Sequence, residues 1–134
     1  MLVQVNQYYT NFCNPKKSMK TNLKIEELLQ LTLGCYLFST LDFSWWWFIG
    51  LFLLPDIGML GYLISTKVGA FTYNIFHHKG IAIVLYLLGL WLGLSYLSLA
   101  GIVIFSHSCF DRVLGYGLKY NTDFKDTHLG KIGK

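Results

Sequence analysis

Charge is scarce in this sequence. Charged residues make up 13% of its 134 positions, against roughly 25% in a soluble domain. Between residues 28 and 66 the only charged side chains are Asp42 and Asp56, and between 80 and 110 there is none. Hydrophobic residues reach 54%. A soluble globule of this length could not hide that much apolar surface in one core, because small domains leave much of their surface exposed. Lipid is the simplest solvent for the excess. Cysteine is sparse and odd in number: Cys13 lies in a polar stretch, while Cys35 and Cys109 sit in apolar runs. That excludes a disulfide framework and a CxxC metal pair. No basic stripe is interleaved with surface aromatics, so a nucleic acid partner is not expected. A cleavable secretory signal is also missing, since no apolar stretch follows a short basic head.

The lipid bilayer is therefore the expected partner, and the fold class expected is all-α: a polytopic helical membrane bundle of about four transmembrane helices plus a short re-entrant helix. Residues 1–22 read as a polar N-terminal extension, 23–120 as the transmembrane domain and 121–134 as a polar C-terminal tail. Met19 heads an alternative start, which would make the first 18 residues an upstream extension. Asn11, Asn14 and Pro15 argue against a helix at the beginning. Thr21 or Asn22 can cap the first one, with Glu26 and Glu27 near its first turn. The stretch 25–41 spans about 25 Å as a helix, just short of the hydrocarbon core. Trp45, Trp46 and Trp47 mark a membrane interface. The run 45–64 is long enough to cross, interrupted by Pro55 before Asp56. A short helix at 68–79 carries Tyr73, Asn74, His77 and His78. Two further helices are expected at about 81–95 and 97–117, turning near Tyr96 to Ser98. Gly89, Gly93, Gly101, Ser95 and Ser98 permit close helix packing.

Lysines gather at 16, 17, 20 and 24, at Lys67 and in the tail. With four crossings all three groups fall on one side, which the positive-inside rule makes cytoplasmic. Both termini are then cytoplasmic, and the net charge of +4 suits anionic headgroups. Lys79 does not fit this pattern.

Ionisable residues inside membrane segments cost about 2.5–3.5 kcal/mol for Asp at a helix centre, so each calls for a compensating role. His107 and Asp111 are four apart and share one helix face. Tyr73 with His77, and Asn74 with His78, have the same spacing. Asp56 follows a helix-breaking proline. Two histidines and two carboxylates suit zinc or another divalent metal, whose bound water becomes a nucleophile near neutral pH. The expected metal ligands are Asp56, His78, His107 and Asp111, with Asp56 and His107 also catalytic and Asn74, His77 and Tyr73 supporting them. Adjacent histidines diverge by about 100° on a helix, so only one should face the site. His78 is preferred, with His77 close behind. The expected function is metal-dependent hydrolysis of a lipid-like substrate within the bilayer.

Plainer roles stand beside each of these. Asp56 can be an N-cap, the histidine pair an interface marker, Asp111 and Arg112 a juxtamembrane ion pair, and His107 a partner of Asp111 alone. The ending LGYGLKY can simply terminate a helix, and His128 is a tail histidine by default. The alternative function is non-enzymatic: an integral membrane protein that binds a lipid or partner helix, with the polar cluster as interhelical packing. A transporter or proton relay would need several copies, since so short a chain cannot build a pathway alone.

Four stretches carry a likeness: LLPDIGMLGYL at 53–63, VGAFTYNIFHH at 68–78, SHSCFDRVLGYGLKY at 106–120 and THLGKIG at 127–133. They resemble a family of small bacterial integral membrane proteins classed as a domain of unknown function. More loosely, the order Pro55-Asp56, His77-His78, then Ser106-His107 with Asp111 is similar to membrane-bound metal-dependent hydrolases of the inner membrane. That likeness implies metal ligation by Asp56, His78, His107 and Asp111. Those hydrolases separate their histidines as in HRGxTHS, whereas here the pair is adjacent and followed by Lys79 and Gly80.

Overall fold

The computed structural model describes residues 15–133, so residues 1–14, with Cys13 and most of the expected N-terminal extension, lie outside the described part. Helix α1, Pro15–Ser39, begins ahead of the expected caps. Proline is tolerated in a first helical turn, where its missing N–H has no partner to lose. Thr21 lies inside the helix, its hydroxyl donating to the Lys17 carbonyl at 3.1 Å. Helix α2 spans Trp45–Leu51, with the Ser44 side chain accepting from the Trp46 N–H. A 3-10 helix follows at Leu54–Leu63, with Pro55 in its first turn. Helix α3 is Thr66–Phe76, capped by Ser65. Helix α4 is Lys79–Leu92, capped by His78, and α5 is Ser95–Leu114. The α4–α5 turn falls at Gly93 and not at 96–98. Gly93 has φ +68°, a conformation glycine adopts without the Cβ penalty. The tail folds into a small hairpin, β1 (Asp126–Thr127) antiparallel to β2 (Gly130–Lys131).

The bundle is all-helical apart from that hairpin. Trp45–Leu63 and Ser95–Leu114 are each long and apolar enough to cross a membrane. The α3–α4 pair, bent by 43° at its break, makes a third such segment if it is one span. The first half of α1 carries Lys24, Glu26 and Glu27 and lacks that apolar length.

Small residues bring α1 and α4 close to α5. A Cβ at Gly34 would meet the Ser106 hydroxyl, one at Gly89 would meet Ser98, and one at Gly101 would meet the α4 backbone at Ala82 and Tyr86. Both neighbours run antiparallel to α5. Phe38, Phe48, Leu99, Ile102 and Val103 fill the core between α1, α2 and α5. The 3-10 helix packs on α3 in the same way, and the Thr72 hydroxyl donates to the Gly58 carbonyl at 2.6 Å.

Lys79, which the topology left unexplained, has partners on another helix. Its ammonium lies 2.5 Å from Glu27 Oε2 and 2.6 Å from Gln30 Oε1. Arg112 Nη1 lies 3.8 Å from the other Glu27 oxygen. One carboxylate on α1 thus ties together the start of α4 and the end of α5. Removing one partner of this part-buried group leaves the remaining charges without compensation. Glu27→Gln should therefore lower the unfolding temperature in mild detergent markedly, while Glu26→Gln, on the exposed side of the same turn, should leave it unchanged. Equal effects would show that the network contributes nothing.

Candidate metal centre

Three elements deliver four side chains to one point. The 3-10 helix brings Asp56, the α3–α4 junction brings His77, and α5 brings His107 and Asp111. Local structure explains each placement. Leu53, not Asp56, occupies the N-cap of the 3-10 helix, so the Asp56 carboxylate is free to point into the bundle. Helix α3 ends at Phe76, leaving His77 as its C-cap. His107 and Asp111 lie one turn apart on the buried face of α5.

One ligand atom from each residue lies within 4.8 Å of the others. His107 Nε2 is 3.1 Å from His77 Nε2 and 3.3 Å from Asp56 Oδ1. His77 Nε2 is 3.3 Å from Asp111 Oδ2 and 3.5 Å from Asp56 Oδ1. His107 Nε2 to Asp111 Oδ1 is 3.7 Å. These separations bracket the edge of a tetrahedron whose centre sits about 2.0–2.1 Å from each donor, roughly 3.3 Å.

The hydrogen bonds leave the group suited to hold a cation at that centre. His77 Nδ1 lies 2.9 Å from the Tyr73 carbonyl. A carbonyl only accepts, so Nδ1 carries the proton, and a neutral His77 presents a bare lone pair at Nε2. That lone pair faces two carboxylates. Acceptors facing acceptors at these distances repel unless a metal ion or a proton lies between them. The surroundings are dry: the His77 and His107 side chains are 3% and 1% exposed and that of Asp111 is 12% exposed, while Asp56 alone is open, at 34%.

Tyr73 takes the supporting place. Its hydroxyl donates to Asp111 Oδ2 at 2.8 Å, and its ring stacks on His77 with centroids 3.7 Å apart. Phe52 packs edge-on against His107. Groups that orient ligands are typically worth about 10–100-fold in metal affinity. Tyr73→Phe, which keeps the ring and removes the hydroxyl, should weaken Co(II) binding by that factor; an unchanged titration would show that Asp111 needs no such donor.

His78, expected as a ligand, is not part of the group. The helix breaks between the two histidines, and His78 turns outward. Its Nδ1 accepts the Ile81 N–H at 3.3 Å as the cap of α4. His77, expected in support, holds the position instead. Asn74 lies away from the ligand atoms and clasps the tail: its Oδ1 accepts from the Lys119 N–H at 2.7 Å, and its Nδ2 donates to the Lys119 carbonyl at 2.9 Å. Arg112 turns to Glu27, not to Asp111, which removes the ion-pair reading of Asp111. His128 accepts from the Leu118 N–H and stays in the tail.

Sequence reasoning passed over Lys119. The tail carries it back over α3, where it is buried. Its ammonium donates to the Phe124 carbonyl at 2.8 Å and lies over the rings of Phe124, Tyr73 and Tyr62, at 3.6, 4.8 and 5.9 Å from their centroids. Burial pulls its pKa below the usual lysine value, against the opposing pull of Asp111, Asp123 and Asp56. The only signal in the sequence was a lysine inside the run of glycine and aromatics at 115–120.

The sequence matches, over residues 20–132, the family described as "Domain of unknown function (DUF4260)". The stretches at 53–63, 68–78 and 106–120 fall inside the match, and the one at 127–133 ends one residue past it. No curated protein and no solved structure matches the chain.

Proposed function

We propose that this chain, which belongs to the DUF4260 family, is an integral membrane metalloprotein that hydrolyses an ester or phosphoester of a lipid-like substrate. The observation that carries this reading is the group Asp56, His77, His107 and Asp111, which offers four donors to one point inside an apolar bundle. Two imidazole nitrogens and two carboxylate oxygens suit zinc or a neighbouring divalent transition ion. With Asp56, the open member, giving way to water as the fourth ligand, such an ion would supply a Lewis acid and lower the pKa of that water, which is the chemistry of hydrolysis. His77, His107 and Asp111 keep the donors fixed and dry. Asp56 meets what enters and is placed to accept a proton.

α1 lies along α5, with Gly34 at Ser106 and Glu27 at Arg112, so we count it as a fourth crossing. The lysines at the start of α1, at Lys67 and in the tail then share one side. That side is cytoplasmic by the positive-inside rule, in the inner membrane.

A second reading has its own support: a proton on His77 would satisfy the same carboxylates, making the cluster interhelical polar packing in a protein that binds a lipid or a partner helix. Elemental analysis of protein purified in mild detergent separates the two. About one transition ion per chain, lost in His107→Ala, is the expected result. No metal in a folded parent, with no change in stability on adding metal or chelator, would overturn the metalloprotein reading.

A further inference from the structure

We infer that the centre opens sideways into the cytoplasmic leaflet, and that its substrate is a glycerolipid of that leaflet, cleaved at the depth of its ester or phosphoester bonds. This rests on the proposed hydrolysis and adds where the substrate comes from and what kind of molecule it is.

Depth comes first. The start of α2 and the α4–α5 turn lie at one end of the bundle. Phe38 at the end of α1 packs on Trp45, with centroids 4.8 Å apart, and Phe43 packs on Tyr96 at 5.4 Å. Trp46, Trp91 and Tyr96 are among the most exposed large side chains at that end, at 78%, 82% and 73%. Exposed tryptophan and tyrosine in this arrangement mark a headgroup layer. Along α5, Asp111 stands about 22 Å beyond Tyr96, at 1.5 Å per residue. A hydrocarbon core is about 30 Å thick. The centre therefore lies in the opposite leaflet, a few ångströms below its surface, where glycerol esters sit.

Charge identifies that leaflet. The tryptophan end, over residues 40–53 and 91–98, carries one charged side chain, Asp42. The other end carries Lys16, Lys17, Lys20 and Lys24 on exposed turns of α1, with Lys67, Lys125 and Lys131 also exposed. Positive charge marks the cytoplasmic side and attracts anionic headgroups.

The direction of opening follows from Asp56, the least buried of the four. Around it the 3-10 segment exposes Leu54, Ile57 and Leu60, and its N-cap Leu53 is exposed as well. An exposed leucine and isoleucine surface beside the open carboxylate suits an acyl chain better than a water-soluble ester.

The tests use the full chain with its metal content measured. In a Cys13→Ser background, Asn121→Cys should react with an impermeant maleimide in inside-out membrane vesicles only, and Trp46→Cys in right-side-out vesicles only. The reverse pattern would overturn the sidedness, whether or not metal is bound. Purified protein is then placed in vesicles of phosphatidylcholine and phosphatidylglycerol, with p-nitrophenyl acetate as the soluble comparison. Lipid cleavage, lost in His107→Ala and slowed at least tenfold in Leu54→Trp at unchanged metal content, supports the inference. Leu54 is on the surface, so this variant keeps the test intact if His107→Ala fails to fold. Cleavage of the soluble ester alone, or of neither substrate by metal-loaded protein, would overturn the substrate class. Absence of metal would instead defeat the proposed hydrolysis itself, with the labelling pattern still deciding the sidedness.

Discussion

Replacing His77 by alanine should abolish metal binding, and replacing its neighbour His78 should leave it intact. His77 Nε2 is within 3.1–3.5 Å of the other three residues' donor atoms, and its Nδ1 is tied to the Tyr73 carbonyl. Alanine there removes a ligand and leaves two carboxylates facing each other with one imidazole. Since even groups that merely orient a ligand are worth about 10–100-fold, the loss should exceed about a hundredfold in a Co(II) titration followed by absorbance. His78 acts on a different quantity. Its ring accepts the Ile81 N–H at the head of α4, so His78→Ala should cost about 1 kcal/mol of stability, as loss of a helix cap does, at unchanged metal affinity. Equal metal binding in both variants would sink the ligand assignment. The reverse order would restore His78 to the site.

The contrast between these neighbours shows which parts of the site are legible in the sequence. His107 and Asp111 can be paired on paper, because an uninterrupted apolar run makes their helix certain in phase, and four residues make one turn. Asp56 stands out because a charge in an apolar run needs a reason. The choice between His77 and His78 depends on where a helix breaks. Local propensity leaves that open: the chain changes direction at 77–78, where Lys79 reaches Glu27 on α1, 52 residues away. A separation of 45 residues likewise hides the role of Lys119, which depends on the tail returning to Asn74. The α4–α5 turn was misplaced by a few residues because serine and tyrosine are plausible turn residues. Gly93 is the one that takes a positive φ.

Gly101→Ala should be among the most destabilising single-methyl additions in the chain, and Gly50→Ala should be neutral or stabilising. Both glycines lie within helices, where alanine is the better helix former by about 1 kcal/mol. Propensity alone therefore predicts a gain at each. At Gly50 a Cβ meets nothing within 4 Å, so the gain should stand. At Gly101 the Cβ would lie 2.5 Å from the Tyr86 nitrogen and 2.6 Å from the Ala82 carbonyl oxygen. These are backbone atoms of α4, which cannot rotate aside, so the helices must separate. Overpacking of this kind costs about 1–3 kcal/mol, occasionally more, and reverses the sign set by propensity. The unfolding temperature in detergent reads the stability difference directly; a Gly101→Ala protein as stable as its parent would show that α4 and α5 do not pack through this contact. The effect should also reach the metal. His77 sits just before the start of α4, while His107 and Asp111 ride on α5. Pushing the two helices apart therefore widens separations that now suit a single ion. A destabilised but still folded and metal-poor Gly101→Ala protein would place the origin of the site's geometry in the spacing of the helices that carry its candidate ligands.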